Sequence, residues 1–586
     1  MDRLSVAVPW NLSCYIAANG FHPLYRALFE GDARVAFNTI DEVALARRLR
    51  ASGRLYRALL LRRKQCLADL PEVLRRSALG TRFVEHLSPS NLALAAELPG
   101  ALELHHTRPL TAGTRPFVLH CESFLPIFHP FWSQGMGRLH RVAEVRELYS
   151  GLFRGESCLG IFSHMPATLD QIRLFFCDPI IDSKLHSSRI GLSQGDLDTL
   201  MSDHRAAPVR SPVFLFTTSA EQGSRAFELG GGFAALLFAE RFLKSGWAGE
   251  FLFRAKRPSN EELHRAGVDV AFIDSIEGVK LLWLESFLPE HEQLRLFAIA
   301  DFLLAPSVYL HSVPIMRALA SGAIPVVSDT YGTETYVADG ETGIVLRGVR
   351  QAAWREDPES GIPVDQCEFP AMMHERLAEQ AFARITDLLA TPASLEAFRK
   401  RMRMSVERNY FGSQFRDEMI DSLLRIARES RGSLADQTGV RRRPLLAEEK
   451  VLHTNGWDRL FESPPQPTLM LNTGIARVFF CKGLYLYMGG SASFSFDELS
   501  PLVLREKGHL VPWNVDLGRG ILDFPHAVFC LYGNRGLLAA KWRYARFRLH
   551  QRVKALLWPH KRVYRLARWV YRTAAAARRR LARPSI

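Results

Sequence analysis

The chain has no uninterrupted apolar run approaching the roughly 18–20 residues that cross a bilayer as a helix. Its longest candidate, Leu229–Ala239, is the size of a core segment, so no membrane-spanning helix is expected. Met1-Asp2-Arg3-Leu4 leads into no apolar stretch ending in a small-residue cleavage site, which argues against a secretory leader and for a cytoplasmic protein. None of the eight cysteines is spaced as a C-x-x-C pair, so a zinc ribbon and a disulfide framework are both excluded. No internal repeat and no nucleic-acid motif is present, and no nucleic-acid partner is favoured.

Acidic residues are missing altogether after Asp523, whereas residues 524–586 carry sixteen Lys or Arg between Arg535 and Arg583. The formal net charge of +14 therefore belongs to the tail, and the body before it is close to neutral. Arg543, Arg546, Arg548, Arg552 and Lys554 interleave with Trp542, Phe547, Leu556 and Trp558. Cations mixed with Trp and aliphatics suit a helix lying on anionic lipid, and a solvated tail is the competing reading. Pro559 interrupts the stretch.

The 586 residues contain 47% hydrophobic and 23% charged side chains, ordinary for a globular protein with more than one core. At roughly 100–200 residues per domain, three or four domains are expected, or two large ones with an appendage. Short apolar runs bounded by breakers alternate with helical patterns, the mark of βαβ units in parallel sheets. In the first half the expected strands are Leu4–Pro9, Pro116–Leu119, Leu159–Phe162 and Leu174–Phe176. The expected helices there are Asp41–Gly53, Leu55–Leu70, Pro71–Leu79 and Leu139–Phe153. After a break near Ala206–Pro212, a second unit has strands at Val213–Thr217, Phe251–Arg254, Val270–Ile273, Leu281–Leu284, Phe302–Leu304 and Ile324–Ser328. Its helices are Phe233–Lys244, Pro289–Ala300, Pro314–Ser321, and segments near His374–Leu389 and Phe415–Arg428. The fold expected is α/β, with two Rossmann-like doubly wound parallel-sheet domains. The domains predicted are 1–207, 208–432, a linker at 433–449 around Asp436–Arg443, a small β-rich module at 450–532, and a basic tail at 533–586. The β-rich module rests on Val478–Cys481, Leu484–Met488 and Leu510–Trp513.

One ordered set of motifs carries a resemblance. Glu292–Asp301 ends in an Ala-Asp pair, Ala305-Pro306-Ser307 follows the next strand, and Arg317–Val327 runs helix, Gly322, Pro325, Val326. Ser328–Glu334 and Asp339-Gly340-Glu341-Thr342-Gly343 complete it. Together these resemble the donor-binding half of family 4 glycosyltransferases, which have the GT-B fold. The resemblance covers roughly residues 115–430 and is specific over Glu290–Leu346. It implies transfer of a sugar, with retention, from a nucleotide-diphosphate donor to a hydroxyl of a glycan or lipid-linked acceptor. Polysaccharide or glycolipid assembly is the setting it implies, with no resident cofactor. No Asp-x-Asp motif argues for a metal-dependent alternative fold, and no metal is expected.

The phosphate-binding chemistry is readable. A helix starting at about Val313 or Pro314, with Ser312 able to cap it, turns its amides and dipole toward the crevice. Ser307, His311, Ser312, Val313, Pro314, Gly332, Thr333 and Glu334 are the donor-site candidates around it. Gly231, within Gly230-Gly231-Gly232, is another, either cradling phosphate or serving a tight strand-to-helix turn. Arg225, Arg254 and Lys256 are the candidate diphosphate cations, and spacing does not choose among them. The family carries a glutamate on each side of this loop. Here Arg317 stands at the second position and Tyr309, or Leu310, at the first. Arginine cannot accept a ribose hydroxyl, so Arg317 is assigned to phosphate or to an acid such as Glu285 or Glu334. The alternative is a catalytically degenerate protein that binds glycan or nucleotide as a scaffold. On the acceptor side, Glu122 and His120 end a strand and are candidate general bases, with His164 nearby. His105 and His106 point apart on any regular element and are expected on the surface.

Overall fold

A computed structural model describes residues 3–9, 23–29, 32–40, 100–107, 109, 115–128, 131, 139, 142–189, 191–202, 211–218, 224–285, 288, 290–358, 362–366, 369–409 and 412–430, with short strands at 451–453, 469–472, 477–481 and 484–488. The helices expected at Asp41–Gly53, Leu55–Leu70 and Pro71–Leu79, the linker around Asp436–Arg443, the run Leu510–Trp513 and the basic tail lie outside the described residues.

Two parallel sheets organise the chain. The first contains β1 (Leu4–Ala7), β2 (Val35–Ile40), β3 (Leu102–His106), β4 (Phe117–His120), β5 (Cys158–Ser163) and β6 (Leu185–Ser187). These run in the order β2-β1-β3-β4-β5-β6, all parallel, and a strand at Val451–His453 joins antiparallel outside β2. The second contains β7 (Val213–Thr217), β8 (Glu250–Arg254), β9 (Leu281–Trp283), β10 (Phe302–Ala305), β11 (Ile324–Ser328) and β12 (Ile344–Leu346). Its order, β9-β8-β7-β10-β11-β12, is that of a six-stranded dinucleotide-binding sheet whose strand order reverses between β7 and β10. Both are α/β and doubly wound, as the alternating pattern predicts. A separate three-stranded antiparallel sheet at Leu469–Asn472, Arg477–Cys481 and Leu484–Met488 lies within the stretch read as β-rich.

Register explains the second core. Phe214 on β7 is opposite Phe251 on β8 and Phe302 on β10. Their rings stack at centroid distances of 4.7 and 5.2 Å, and Phe238 and Phe242 close over them. Each fully buried Phe contributes about 1.5–3 kcal/mol by burial, and such aromatic pairs add about 0.5–1.5 kcal/mol more.

Two expected strands are helices. Leu174–Phe176 is the last turn of the helix Pro166–Phe176, whose inward face is Leu169, Ile172, Phe175 and Phe176. Proline at the first turn and the three-to-four-residue spacing outweigh the short apolar run. Val270–Ile273 belongs to the helix Val270–Ile276, started by Asp269, whose carboxylate accepts from the Phe272 amide at 3.1 Å. A helix at Pro392–Asn409 has no counterpart in the sequence reading. The helix Gly412–Glu429 lies within the predicted 208–432 domain, yet it packs on the helix Pro23–Phe29 beside the first sheet. Its Asp421 pairs with Arg34 at 2.5 Å.

His374 lies in the core between the helices Gly232–Lys244 and Ala371–Ala390, its ring edge-on to Phe233 and Phe369 and 2% exposed. Burial lowers its pKa to about 4. The native state thus holds the ring neutral, while the unfolded chain takes up a proton as pH drops below the ordinary value near 6.5. Stability is complete above that value and falls as pH drops toward 4, by up to about 3 kcal/mol. His374→Phe should flatten this part of the stability–pH curve, read by urea unfolding at pH 7.5 and pH 5. An unchanged slope in the variant would remove His374 from the account.

Candidate active site

Parallel pairing delivers every carboxyl end of a sheet to one edge, and the first half of the site follows from that. His106 ends β3, His120 ends β4, and His164 follows β5. His106 is in register with His120, and His120 with Phe162, so adjacent strands bring the three imidazoles together. Tyr25, from the helix Pro23–Phe29, has its hydroxyl 2.5 Å from His106 Nδ1 and 2.6 Å from His120 Nδ1. His120 Nε2 is 3.4 Å from His164 Nδ1. His164 Nε2 is 2.5 Å from the Tyr336 hydroxyl and 3.8 Å from Glu122 Oε1. Tyr336 in turn donates to Glu122 Oε1 at 3.1 Å. Tyr336 comes from the helix Thr333–Tyr336 that follows β11, so these contacts join the two halves of the chain.

This corrects the surface assignment of the adjacent histidines. His105 is fully buried against Glu103 at 3.0 Å, and His106 faces the other way into the tyrosine. Side chains alternate along the strand, so the two histidines point apart, but a parallel sheet is covered on both faces and His105 is enclosed as well. Neither Tyr25 nor Tyr336 belongs to a motif, so nothing in the sequence marks them.

On the second half, the helix Ser312–Ser321 begins one turn-position earlier than expected. Ser312 is its first helical residue, not the cap; His311 holds the cap position and supplies no side-chain cap. The first turn of a helix leaves its amides without intrahelical partners, and Pro314 has no amide to leave. Burial pushes the His311 imidazole below its usual range, and the nearby Glu122 carboxylate pulls it partway back. Glu122 is thus faced by Tyr336, His164 and His311.

Arg254 ends β8, is 6% exposed, and donates to the Thr218 carbonyl at 2.8 Å. Arg317, 5% exposed, donates to Glu290 Oε1 at 2.6 Å. Burial first, and the positive charge of Arg317 second, lower the Arg254 pKa to about 10. The Nε atoms of both arginines are buried and lack a hydrogen-bond partner among the described residues. The acid on Arg317 is therefore Glu290, not Glu285 or Glu334. Glu285 accepts from the Arg257 amide, and Glu334 forms an exposed pair with Arg350 at 3.1 Å. Glu290 also binds Arg26, which reaches Asp196 at 3.0 Å. Burial raises the Asp196 pKa against the pull of Arg26 and Arg317. Asp196-Leu197-Asp198 spells Asp-x-Asp, but Asp196 is committed to Arg26 and Asp198 accepts from Gln194 at 2.7 Å.

The remaining donor candidates divide into framework and open groups. Gly231 donates its amide to the Glu228 carbonyl and has φ of +83°, and a Cβ there would sit 2.2 Å from the Pro306 oxygen. It serves the tight turn and the close approach of the Pro306 loop. Gly332, at φ of +86°, would place a Cβ 1.8 Å from Met165 Cε, so it lets the β11 loop meet the first half of the chain. The hydroxyls of Ser307 and Thr333 are spent on the carbonyls of Tyr309 and Ser328. Lys256 is exposed. Arg225 lies in the helix Ser224–Leu229, and its side chain is outside the described residues.

The site thus sets a carboxylate with imidazoles beside His311 at the start of the helix Ser312–Ser321, and the second half of the chain also holds the buried guanidiniums of Arg254 and Arg317. No helix among the described residues is long and apolar enough to cross a membrane. No protein-family model and no curated protein matches the chain. Among solved structures it is similar to the sucrose-phosphate synthase (tll1590) from Thermosynechococcus elongatus, at 14% identity and a TM-score of 0.39, over 56% of this chain and 74% of that one. It is similar also to a UDP-forming α,α-trehalose-phosphate synthase from Burkholderia xenovorans in complex with glucose-6-phosphate, at 14% identity and a TM-score of 0.36, over 55% and 74%. Anabaena HepE in complex with UDP and glucose is a third, at 12% identity and a TM-score of 0.35, over 55% and 78%.

Proposed function

We propose that this chain moves a sugar from a nucleoside-diphosphate donor to a hydroxyl acceptor. The observation that carries the reading is the buried Arg254 at the carboxyl end of β8 with the charge of the buried Arg317 acting on it, each with an Nε that has no hydrogen-bond partner among the described residues, in a domain whose sheet has dinucleotide-binding strand order. Ligands in such sheets lie at the strand-order reversal, here between β7 and β10, where the Pro306–His311 loop leads into the helix Ser312–Ser321.

In the reaction, the bond between the anomeric carbon and the diphosphate oxygen breaks, and the acceptor oxygen bonds to that carbon on the face the diphosphate leaves, which retains its configuration. The acceptor proton passes to Glu122, and the diphosphate leaves with its electron pair. Arg254, Arg317 and the dipole of the helix Ser312–Ser321 stabilise that charge, so this reading assigns the leaving group to protein cations and not to a metal. The acceptor of this proposal is a glycan or lipid-linked hydroxyl in cell-surface polysaccharide or glycolipid assembly at the inner face of a membrane, and the anomeric outcome is retention. The motif resemblance supports the chemistry, and the cationic, Trp-containing segment 535–586 supports the membrane contact.

The test is thermal unfolding with UDP-, GDP- and ADP-glucose and the free diphosphates. A ligand at a hundred times its Kd stabilises the native state by about 2.7 kcal/mol, a clear rise in Tm. A rise with one nucleotide class, followed by release of that diphosphate on incubation, is expected. Silence from all of them at millimolar concentration would end the proposal. Glu290 already occupies one face of Arg317, which favours a second reading in which the donor binds without turnover. That reading predicts the rise in Tm without diphosphate release.

A further inference from the structure

The loop after β10 is held by a tryptophan that belongs to neither β10 nor β11. Val308 is fully buried, and the peptide groups on both its sides are tied. Its amide donates to the Leu229 carbonyl at 2.8 Å. Its carbonyl accepts from Thr330 Oγ1 at 2.5 Å and from Trp354 Nε1 at 3.1 Å. A carbonyl oxygen has two lone pairs, so this one is filled. The carbonyls on either side are held as well, that of Ser307 by the Ser328 hydroxyl and that of Tyr309 by the Ser307 hydroxyl. Three successive carbonyls are thus fixed just before the helix Ser312–Ser321 begins. The hydroxyls come from the loop itself or from the end of β11, whereas Trp354 arrives from farther along the chain. Its own segment is braced. Trp354–Glu356 pairs antiparallel with Pro363–Gln366. The Asp329 carboxylate accepts from the Gly348 and Val349 amides at 2.9 and 2.8 Å, and the Tyr331 hydroxyl donates to Glu356 Oε1 at 2.6 Å. The indole lies edge-on to the rings of Tyr309 and Tyr331, with centroids 5.8 and 5.6 Å away. A segment stitched at both ends therefore aims one N–H at one buried oxygen.

We propose that Trp354 is a positioning residue for the donor. Its indole N–H, acting through the Val308 carbonyl, fixes the course of the Pro306–His311 loop and with it the helix N-terminus that meets the diphosphate. This role rests on the sugar-transfer reading above and adds what holds the donor loop in place. The first-turn amides of a helix serve an anion only in the direction they point, so peptides that can rotate just before the helix spoil the fit. Without the indole N–H, the Val308 carbonyl keeps only Thr330, and the loop gains freedom that it must lose again when the donor binds. The loss therefore falls on affinity, while the fold loses one neutral hydrogen bond among many. A tryptophan that merely fills space behaves differently. Its removal lowers stability and leaves affinity alone, or lowers both in step.

Calorimetric titration of the full chain with UDP, GDP and ADP separates the two, at a temperature where urea unfolding shows each variant folded. Trp354→Phe keeps a ring against Tyr309 and Tyr331 and removes the N–H. For the diphosphate that the unaltered chain binds, Kd should rise roughly tenfold in this variant. Trp354→Leu also loses the ring packing, so it should be less stable in urea than Trp354→Phe yet bind with the same Kd. Thr330→Val strips the other donor from the same carbonyl and should weaken binding likewise, and it decides alone if the Trp354 variants do not fold. An unchanged Kd in Trp354→Phe, or in Thr330→Val where only that variant folds, overturns the proposal and leaves sugar transfer standing. So does an affinity that falls further in Trp354→Leu in step with its stability, because packing and not the N–H would then hold the loop. If the unaltered chain binds none of the three diphosphates, the sugar-transfer reading falls and the role of Trp354 falls with it.

Discussion

Replacing Gly231 with alanine should destabilise the second half of the chain by about 4 kcal/mol or more, two effects adding at one residue. At φ of +83° an L side chain carries the left-handed penalty, about 1–2 kcal/mol. The new methyl would also fall 2.2 Å from the Pro306 oxygen and 2.5 Å from its carbonyl carbon. These are backbone atoms, and the Val308 amide bonds the Leu229 carbonyl at 2.8 Å, so the loop cannot retreat without breaking the turn that holds it. Gly246 is the matched control, with φ of +85° and nothing within 4 Å of the added methyl. Gly246→Ala should show the conformational penalty alone. Urea unfolding of both variants reads the difference; if they are destabilised equally, the close approach to Pro306 is not what requires the glycine. Because the same loop leads into the helix Ser312–Ser321, Gly231→Ala should also weaken any nucleotide-induced stabilisation that the folded fraction retains.

Gly231 also shows how a local reading can place a turn and leave its role open between a phosphate cradle and a tight turn. The triple glycine announces a strand-to-helix turn in the sequence, and the turn is there. What the sequence cannot display is the neighbour across the turn, since Pro306 lies far along the chain and arrives only because β10 pairs beside β7. The same limit explains Arg317. Its residue type, a cation where an acceptor belongs in the resembled family, was legible. Its partner Glu290 was read only as a helix-start acid, because a single residue at a helix N-terminus has that sufficient local explanation.

The fold was more legible than the site for a related reason. Buried parallel strands write themselves as short apolar runs, and Val213–Thr217 and Ile324–Ser328 are found where those runs predict. Short runs are also where the reading failed. Leu174–Phe176 and Val270–Ile273 have the composition of strands, but a proline or an aspartate at the start of each segment commits it to a helix. Glu122, His120 and His164 could be placed at strand ends because strand ends are visible. Tyr25 and Tyr336, which tie them together, sit on helices from opposite halves of the sequence and carry no local mark.

Arg254→Met should raise stability and weaken diphosphate binding at once. Burial first, and the charge of Arg317 second, lower the Arg254 pKa to about 10, below its ordinary range, so at neutral pH its charge disfavours the folded state. That penalty is constant below pH 10 and relieved only above it, and for a side chain 6% exposed it amounts to about 3 kcal/mol. Methionine removes it at the loss of one hydrogen bond to the Thr218 carbonyl, about 1 kcal/mol, leaving a net gain of about 1–2 kcal/mol. A chain retains such a charge when something bound compensates it, and the Nε atoms of Arg254 and Arg317, without a partner among the described residues, are two donors for an anion. Lost charge-assisted bonds to a diphosphate correspond to about 1.5–3 kcal/mol, roughly ten- to a hundredfold in Kd. Urea unfolding without ligand and thermal shift with UDP, GDP and ADP measure the two effects in the same variant. A less stable Arg254→Met protein that still binds diphosphate as tightly would mean that Arg254 is a structural residue and that the anion site lies elsewhere.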